Sequence, residues 1–151
     1  MSHRDAISRL ADRLDESVVW AVTGSANLAL QGLPVEPGDV DVMTDAESAY
    51  RVTEAFPARV VRPVEPPDPA PDRRIRSHFG ALELAGVTVE VMGAVEHRVD
   101  GEWVPTDDVE ETREFLAVDG QQVPVMPLDH ELAGYRELGR DERVALIEAH
   151  A

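Results

Sequence analysis

With 151 residues, 43% of them hydrophobic, the chain can bury one core; it has no cysteine, which excludes disulfides and thiolate chemistry. Its 30 acidic residues against 14 basic ones give a formal charge of −16, so it lacks the cationic surface on which affinity for nucleic acid rests, and a polymerase acting on long DNA is disfavoured. No apolar run is long enough to span a bilayer and the N-terminal residues carry no signal-peptide core, so one soluble, cytoplasmic domain over residues 1–151 with no membrane partner is expected.

Every basic residue is arginine. The self-repulsion of so acidic a chain largely vanishes at about 1 M salt, where the Debye length is roughly 3 Å. The composition therefore points to a halophile's salt-rich cytoplasm, the alternative being a GC-rich genome that favours Arg and Asp codons.

In chain order, residues 4–15 place Ile7, Leu10 and Leu14 at helical spacing, with Ser2 as cap. Residues 18–23 are nearly all apolar and read as a buried strand. Gly24 and Ser25 follow, with Ser25 expected to cap a short helix over residues 25–31 that Gly32 ends. A strand, a Gly-Ser turn and a helix in succession leave unpaired N–H groups and the positive end of a helix dipole aimed at one point, which favours a phosphate.

Residues 39–42 (DVDV) alternate with the period of a strand, so Asp39 and Asp41 project to one face while Val40 and Val42 face the other. Paired carboxylates are costly without a cation between them and suit a hard divalent ion such as Mg²⁺, which takes one or two carboxylates plus substrate phosphates. Asp45 can cap a helix over residues 46–56 with Tyr50, Val52 and Phe56 inward, and Pro57 stops it.

Residues 58–61 read as a short strand, after which residues 63–71 hold five prolines in nine positions. That stretch is expected to be a polyproline-like loop outside any sheet, a connector or a lid. Residues 73–84 and 87–92 read as antiparallel strands joined at Ala85 and Gly86. On the second, Glu90 shares a face with Thr88 and Met92, and Val87, Val89 and Val91 face oppositely, the same division as at residues 39–42.

Arg73, Arg74 and Arg76 are the densest basic cluster. Their guanidinium groups could hold a triphosphate or an acceptor, or only balance surface charge; His78 beside them reads as structural. Asp100-Gly101 and Asp119-Gly120 mark two hairpins that extend the sheet away from the site, and residues 128–138 and 141–149 read as closing helices.

Gly24-Ser25, thirteen intervening residues and then Asp39-Val40-Asp41 resemble the signature of the nucleotidyltransferase superfamily that includes DNA polymerase β, above all its small minimal and antibiotic-modifying members. Residues 135–140 (YRELGR) resemble the C-terminal helix turn of such members. The resemblance implies an α+β fold, a mixed and mostly antiparallel sheet with helices on one face and the active site on the open face. It implies a third carboxylate on a later strand, which Glu90 matches by pattern, with Glu83 as the competing candidate.

The implied reaction transfers a nucleoside monophosphate, as AMP from ATP, to a hydroxyl with release of pyrophosphate. Asp39, Asp41 and Glu90 would hold two Mg²⁺ ions; Gly24 and Ser25, with Arg76, would hold the nucleotide. The acceptor would be a small molecule or a protein hydroxyl. The alternative is a binding module of the same fold that acts by contact, such as the antitoxin half of a pair with a small helical partner.

Overall fold

The computed structural model describes residues 2–67, 74–106 and 108–150. Helix α1 (His3–Arg13) starts at Ser2, whose hydroxyl accepts from the Asp5 N–H, and buries Ala6, Ile7 and Leu10. Strand β1 (Trp20–Thr23) is buried along its whole length. It passes directly into α2 (Gly24–Leu30), so the helix begins on Gly24 and its N-cap is Thr23, without a side-chain cap bond. Ser25 therefore lies within the helix and is not its cap.

Strand β2 (Val40–Thr44) is followed by α3 (Ala46–Glu54), which Asp45 caps through the Ser48 N–H at 2.7 Å. Of the expected stripe on α3, Val52 is buried and Tyr50 is half-buried; Phe56 is buried beyond the helix end, while Ser48, Ala49 and Thr53 complete the inward face.

A 3₁₀ turn at Pro57–Arg59 leads into β3 (Val60–Glu65), which pairs with β4 (Ile75–Leu84) at the sheet edge. Pro63 thus lies inside a strand, contrary to the expected loop. An edge strand tolerates a residue without an N–H, and the register shifts around it show the ladder bending to do so. Residues 68–71 of the expected loop lie outside the described residues.

Ala85 and Gly86, both at positive φ (52° and 76°), turn the chain tightly into β5 (Val87–Val99). This strand is longer than its predicted six residues because a bulge at Ala94 (φ 50°) lets it bend and continue. It then pairs with β6 (Glu102–Pro105). A one-turn helix, α4 (Val109–Thr112), precedes β7 (Glu114–Val118) and β8 (Gln121–Val125), and α5 (Leu128–Glu137) and α6 (Asp141–His150) close the described chain.

The sheet order is β3-β4-β5-β2-β1-β8-β7, with β6 on β5. Neighbours are antiparallel except β2 with β5 and β1 with β8, which run parallel. On one face α1 and α3 cover Val40, Val42, Val89 and Val91, all fully buried. The other face carries Asp41, Met43, Glu90 and Met92, and α4 roofs part of it through Val109 against Met43. The β7-β8 hairpin was expected to lead away from the site. Instead β8 lies beside β1, and α5 follows directly across the acidic face.

Helix α3 is fastened to β1 by one buried polar contact. The Val19 N–H precedes the strand ladder and donates to the Ser48 hydroxyl at 2.9 Å. Ser48→Ala should leave that N–H without a partner and lower the unfolding free energy by about 1–3 kcal/mol. Urea denaturation measures it, and an unchanged midpoint would show that the contact does not matter.

Candidate active site

The parallel pairing of β2 with β5 sets Val40 opposite Val89, Asp41 opposite Glu90 and Val42 opposite Val91. Alternation then does the rest: the valines enter the core and the two carboxylates stand side by side on the other face. Glu83 is exposed on β4, opposite Thr88 of β5 and one strand further from Asp41, so the register favours Glu90. Asp39 is exposed in the bend before β2 and is not part of the strand, whose pairing begins at Val40.

The antiparallel pairing of β1 with β2 places Thr23 opposite Asp41. Gly24 follows at φ 70°, and a Cβ built there would stand 2.7 Å from Oδ2 of Asp41. Only glycine lets the backbone turn into α2 and lie against this carboxylate. The Gly-Ser turn and the acidic strand are thus in contact, as their sequence order suggested.

A cleft of about 400 Å³ opens at this point. One wall holds Thr23, Gly24, Ser25 and Asp41; the other holds Glu131, Tyr135, Arg140 and Arg143 from α5, α6 and the turn between them; Met43, Ile75, Met92 and Val95 supply apolar surface. The second wall is held in place by α2. Asn27, fully buried, donates to the Met126 carbonyl at 2.7 Å, and the Met126 N–H donates to the Val22 carbonyl, which fixes the start of α5 beside β1.

Glu131 is the residue that sequence reasoning missed. It is 5% exposed, accepts a hydrogen bond from the Thr23 hydroxyl, and accepts another from the Gly24 N–H at 2.6 Å. The expectation of unpaired amides at the Gly24 turn is corrected accordingly: a protein carboxyl already takes the first of them. Burial pushes Glu131 up to about 7, over the opposing effect of its two hydrogen bonds. Asp41 is pushed up to about 6, by burial first and then by the negative charges of Glu90 and Asp39.

Among the described residues, no three Asp, Glu or His side chains are arranged to hold a metal ion by themselves. The donor set is nevertheless all carboxylate oxygen, with Glu90 and Asp39 close enough to add to the effect of burial on Asp41, which suits a hard cation that also takes phosphate oxygens.

Arg76 is not brought to this cleft. Its Nε donates to Glu96 at 2.8 Å and its guanidinium lies 4.4 Å from the centre of the Trp103 ring. The arginines that line the cleft with Gly24 and Ser25 are Arg140, whose Nε donates to Glu142 at 2.7 Å, and Arg143. His78 pairs through Nδ1 with the Tyr50 hydroxyl at 2.7 Å, a structural contact. Arg73 lies outside the described residues.

The sequence matches the aminoglycoside-2''-adenylyltransferase family over residues 6–149. The chain belongs to that family. It resembles a putative nucleotidyltransferase from Thermotoga maritima (TM1012) at 35% identity and a TM-score of 0.84, covering 99% of this chain and 94% of that one. It shares the fold of the lincosamide antibiotic adenylyltransferase LnuA, solved with lincomycin bound (10% identity, TM-score 0.62, 100% and 99% covered). It also shares that of ANT(2'')-Ia, solved with adenylyl-2''-tobramycin (13% identity, TM-score 0.55, 94% and 83% covered). The comparison with curated proteins gives no match.

Membership makes the chain a nucleotidyltransferase enzyme of the small antibiotic type, with the expected fold. Among the described residues no helix is long and apolar enough to cross a membrane. Of the second wall, only the run holding Tyr135 and Arg140 carried any sequence signal, and no role attached to it.

Burial of Glu131 has a pH signature. Its proton is held up to about 7 in the folded chain but leaves near the ordinary 4.5 in the unfolded one. Between those values the folded state binds more protons, so stability falls as pH rises through the window. Glu131→Gln should flatten that fall. Urea midpoints measured from pH 4.5 to 8 check it; an identical slope in both proteins would contradict the assignment.

Proposed function

We propose that this enzyme transfers AMP from ATP to the hydroxyl of a small molecule and releases pyrophosphate. The observation that carries this reading is the Asp41–Glu90 pairing with Gly24 packed on the Asp41 carboxylate. In the reaction the acceptor oxygen forms a bond to the α-phosphorus, the bond from that phosphorus to the pyrophosphate oxygen breaks, and the hydroxyl proton passes to Glu90. A cleft of about 400 Å³ is on the scale of small-molecule sites, which favours a small acceptor over a protein hydroxyl.

Asp39, Asp41 and Glu90 would hold two Mg²⁺ ions together with phosphate oxygens, and the ions would supply a lowered acceptor pKa and neutralisation of charge on the leaving pyrophosphate. The chain's own residues do the positioning. Gly24 and Ser25 set the floor for the β- and γ-phosphates. Helix α2 has only seven residues, so its dipole is a small contribution. Arg143 provides full positive charge and forked donors for those phosphates, beside Arg140, whose Nε is engaged by Glu142 at 2.7 Å. Met43 and Met92 exclude water from the side of the acids facing the roof.

Incubation with Mg²⁺, α-labelled ATP and a panel of hydroxyl acceptors should give labelled product. Glu90→Gln should lower the rate on the order of 10²-fold or more while retaining fold and nucleotide binding, and Asp41→Asn should be at least as severe. Absence of transfer to every acceptor, or full activity in both variants, would refute the reading and leave a fold that acts by contact.

Loss of one phosphate-facing guanidinium is a separable effect. Arg143→Ala should raise the KM for ATP about tenfold, the equivalent of one charge-assisted hydrogen bond. Steady-state kinetics measure it, and a KM unchanged from wild type would remove Arg143 from the nucleotide's surroundings.

A further inference from the structure

Beyond the catalytic acids the cleft continues. A second cavity of about 290 Å³ shares Ile75, Val95 and Leu138 with the first and ends against Arg74, His97 and Arg98. The composition of this end runs against that of the chain. In a protein of charge −16, its lining among the described residues holds two arginines and one carboxylate, Glu137, which stands 3.8 Å from His97.

Neither Arg74 nor Arg98 forms an ion pair among the described residues. The two are held adjacent because the Arg98 N–H donates to the Arg74 carbonyl at 2.9 Å. Arg98 is fixed further by the Trp103 ring, 4.9 Å from its guanidinium, and its Nε is buried without a hydrogen-bond partner. Apolar surface lies next to this charge: Ile75 and Leu138 are 45% and 52% exposed.

Guanidinium groups without an ion-pair partner among the described residues, beside exposed apolar side chains, recognise an anion attached to an apolar body, and they repel a polyamine. We infer that this end of the cleft receives the acceptor, that the acceptor is a small hydroxyl compound carrying a carboxylate or phosphate on an apolar body, and that polycationic aminoglycosides are discriminated against. The inference rests on the proposed reaction for the word acceptor, but the binding preference it states can be read without any turnover. It also separates this chain from the substrate its family's description names.

The test measures binding by NMR chemical-shift titration of the full chain without nucleotide. A matched series serves as probe: 4-(hydroxymethyl)benzoate, 4-(hydroxymethyl)phenyl phosphate and 4-(hydroxymethyl)benzylamine, with tobramycin as polycation. One or both anions should bind at least about tenfold more tightly than the amine and tobramycin, and the two anionic arms tell carboxylate from phosphate. Arg74→Glu and Arg98→Gln should each erode the preference; Arg74 lies at the start of β4, where substitution spares the core.

Equal or tighter binding of the amine or tobramycin overturns the inference, as does a preference unchanged in both variants. Loss of anion binding at saturating AMP also overturns it, because that end would then be the nucleoside's seat. Failure of AMP transfer alone leaves the preference measurable, so the two readings fail separately.

Discussion

The parallel ladder between β2 and β5 is the constraint on which the site depends. A slip of one residue would turn Asp41 and Glu90 into the core and the valines to the surface. Val40, Val42, Val89 and Val91, all fully buried against α1 and α3, make that slip prohibitively costly. The acids are therefore positioned by the hydrophobic effect acting on their neighbours. Burial first, and then the negative charges of Glu90 and Asp39, raise Asp41.

The second half of the site comes from the far end of the chain. Pairing of β8 with β1 and the Asn27–Met126 hydrogen bond bring α5 across the acidic face. That delivers Glu131 to the Gly24 amide and Tyr135, Arg140 and Arg143 to the opposite wall. Glu131 ties the two halves together at the point where an anionic ligand would approach. A carboxyl whose ionisation burial postpones to about pH 7 can do this at less electrostatic cost than one ionised at the ordinary carboxylate pKa. Among the described residues the cleft is lined by Asp41 and Glu131 together with Arg140 and Arg143, and the cavity that adjoins it by Arg74 and Arg98 with apolar surface.

What sequence reasoning could read was local. Alternation correctly placed Val40, Val42, Val89 and Val91 inward and Asp41 and Glu90 outward, whereas Asp39 lies in the bend before the strand; the Asp-Gly pairs marked both hairpins, with Asp100 and Asp119 at positive φ. Ser2 and Asp45 serve as the helix caps their spacing suggested. What escaped was non-local. No periodic pattern reveals that Glu131 is buried, because its burial follows from strands paired about a hundred residues apart in sequence. Pro63 was excluded from a strand by a rule that holds for central strands and is relaxed at an edge. Arg76 drew attention as part of a basic cluster, yet Glu96 and Trp103, on the same hairpin arm, engage it.

The central claim is that Asp41 and Glu90, with Asp39, form a cation site completed by nucleotide phosphates. Titration of Mn²⁺ into the protein, followed by electron paramagnetic resonance with and without ATP, tests it most directly. The account predicts tight Mn²⁺ binding in the ternary mixture, in excess of that to ATP alone, lost in Asp41→Asn and weakened in Glu90→Gln. Ternary Mn²⁺ binding that survives both substitutions undiminished would contradict it.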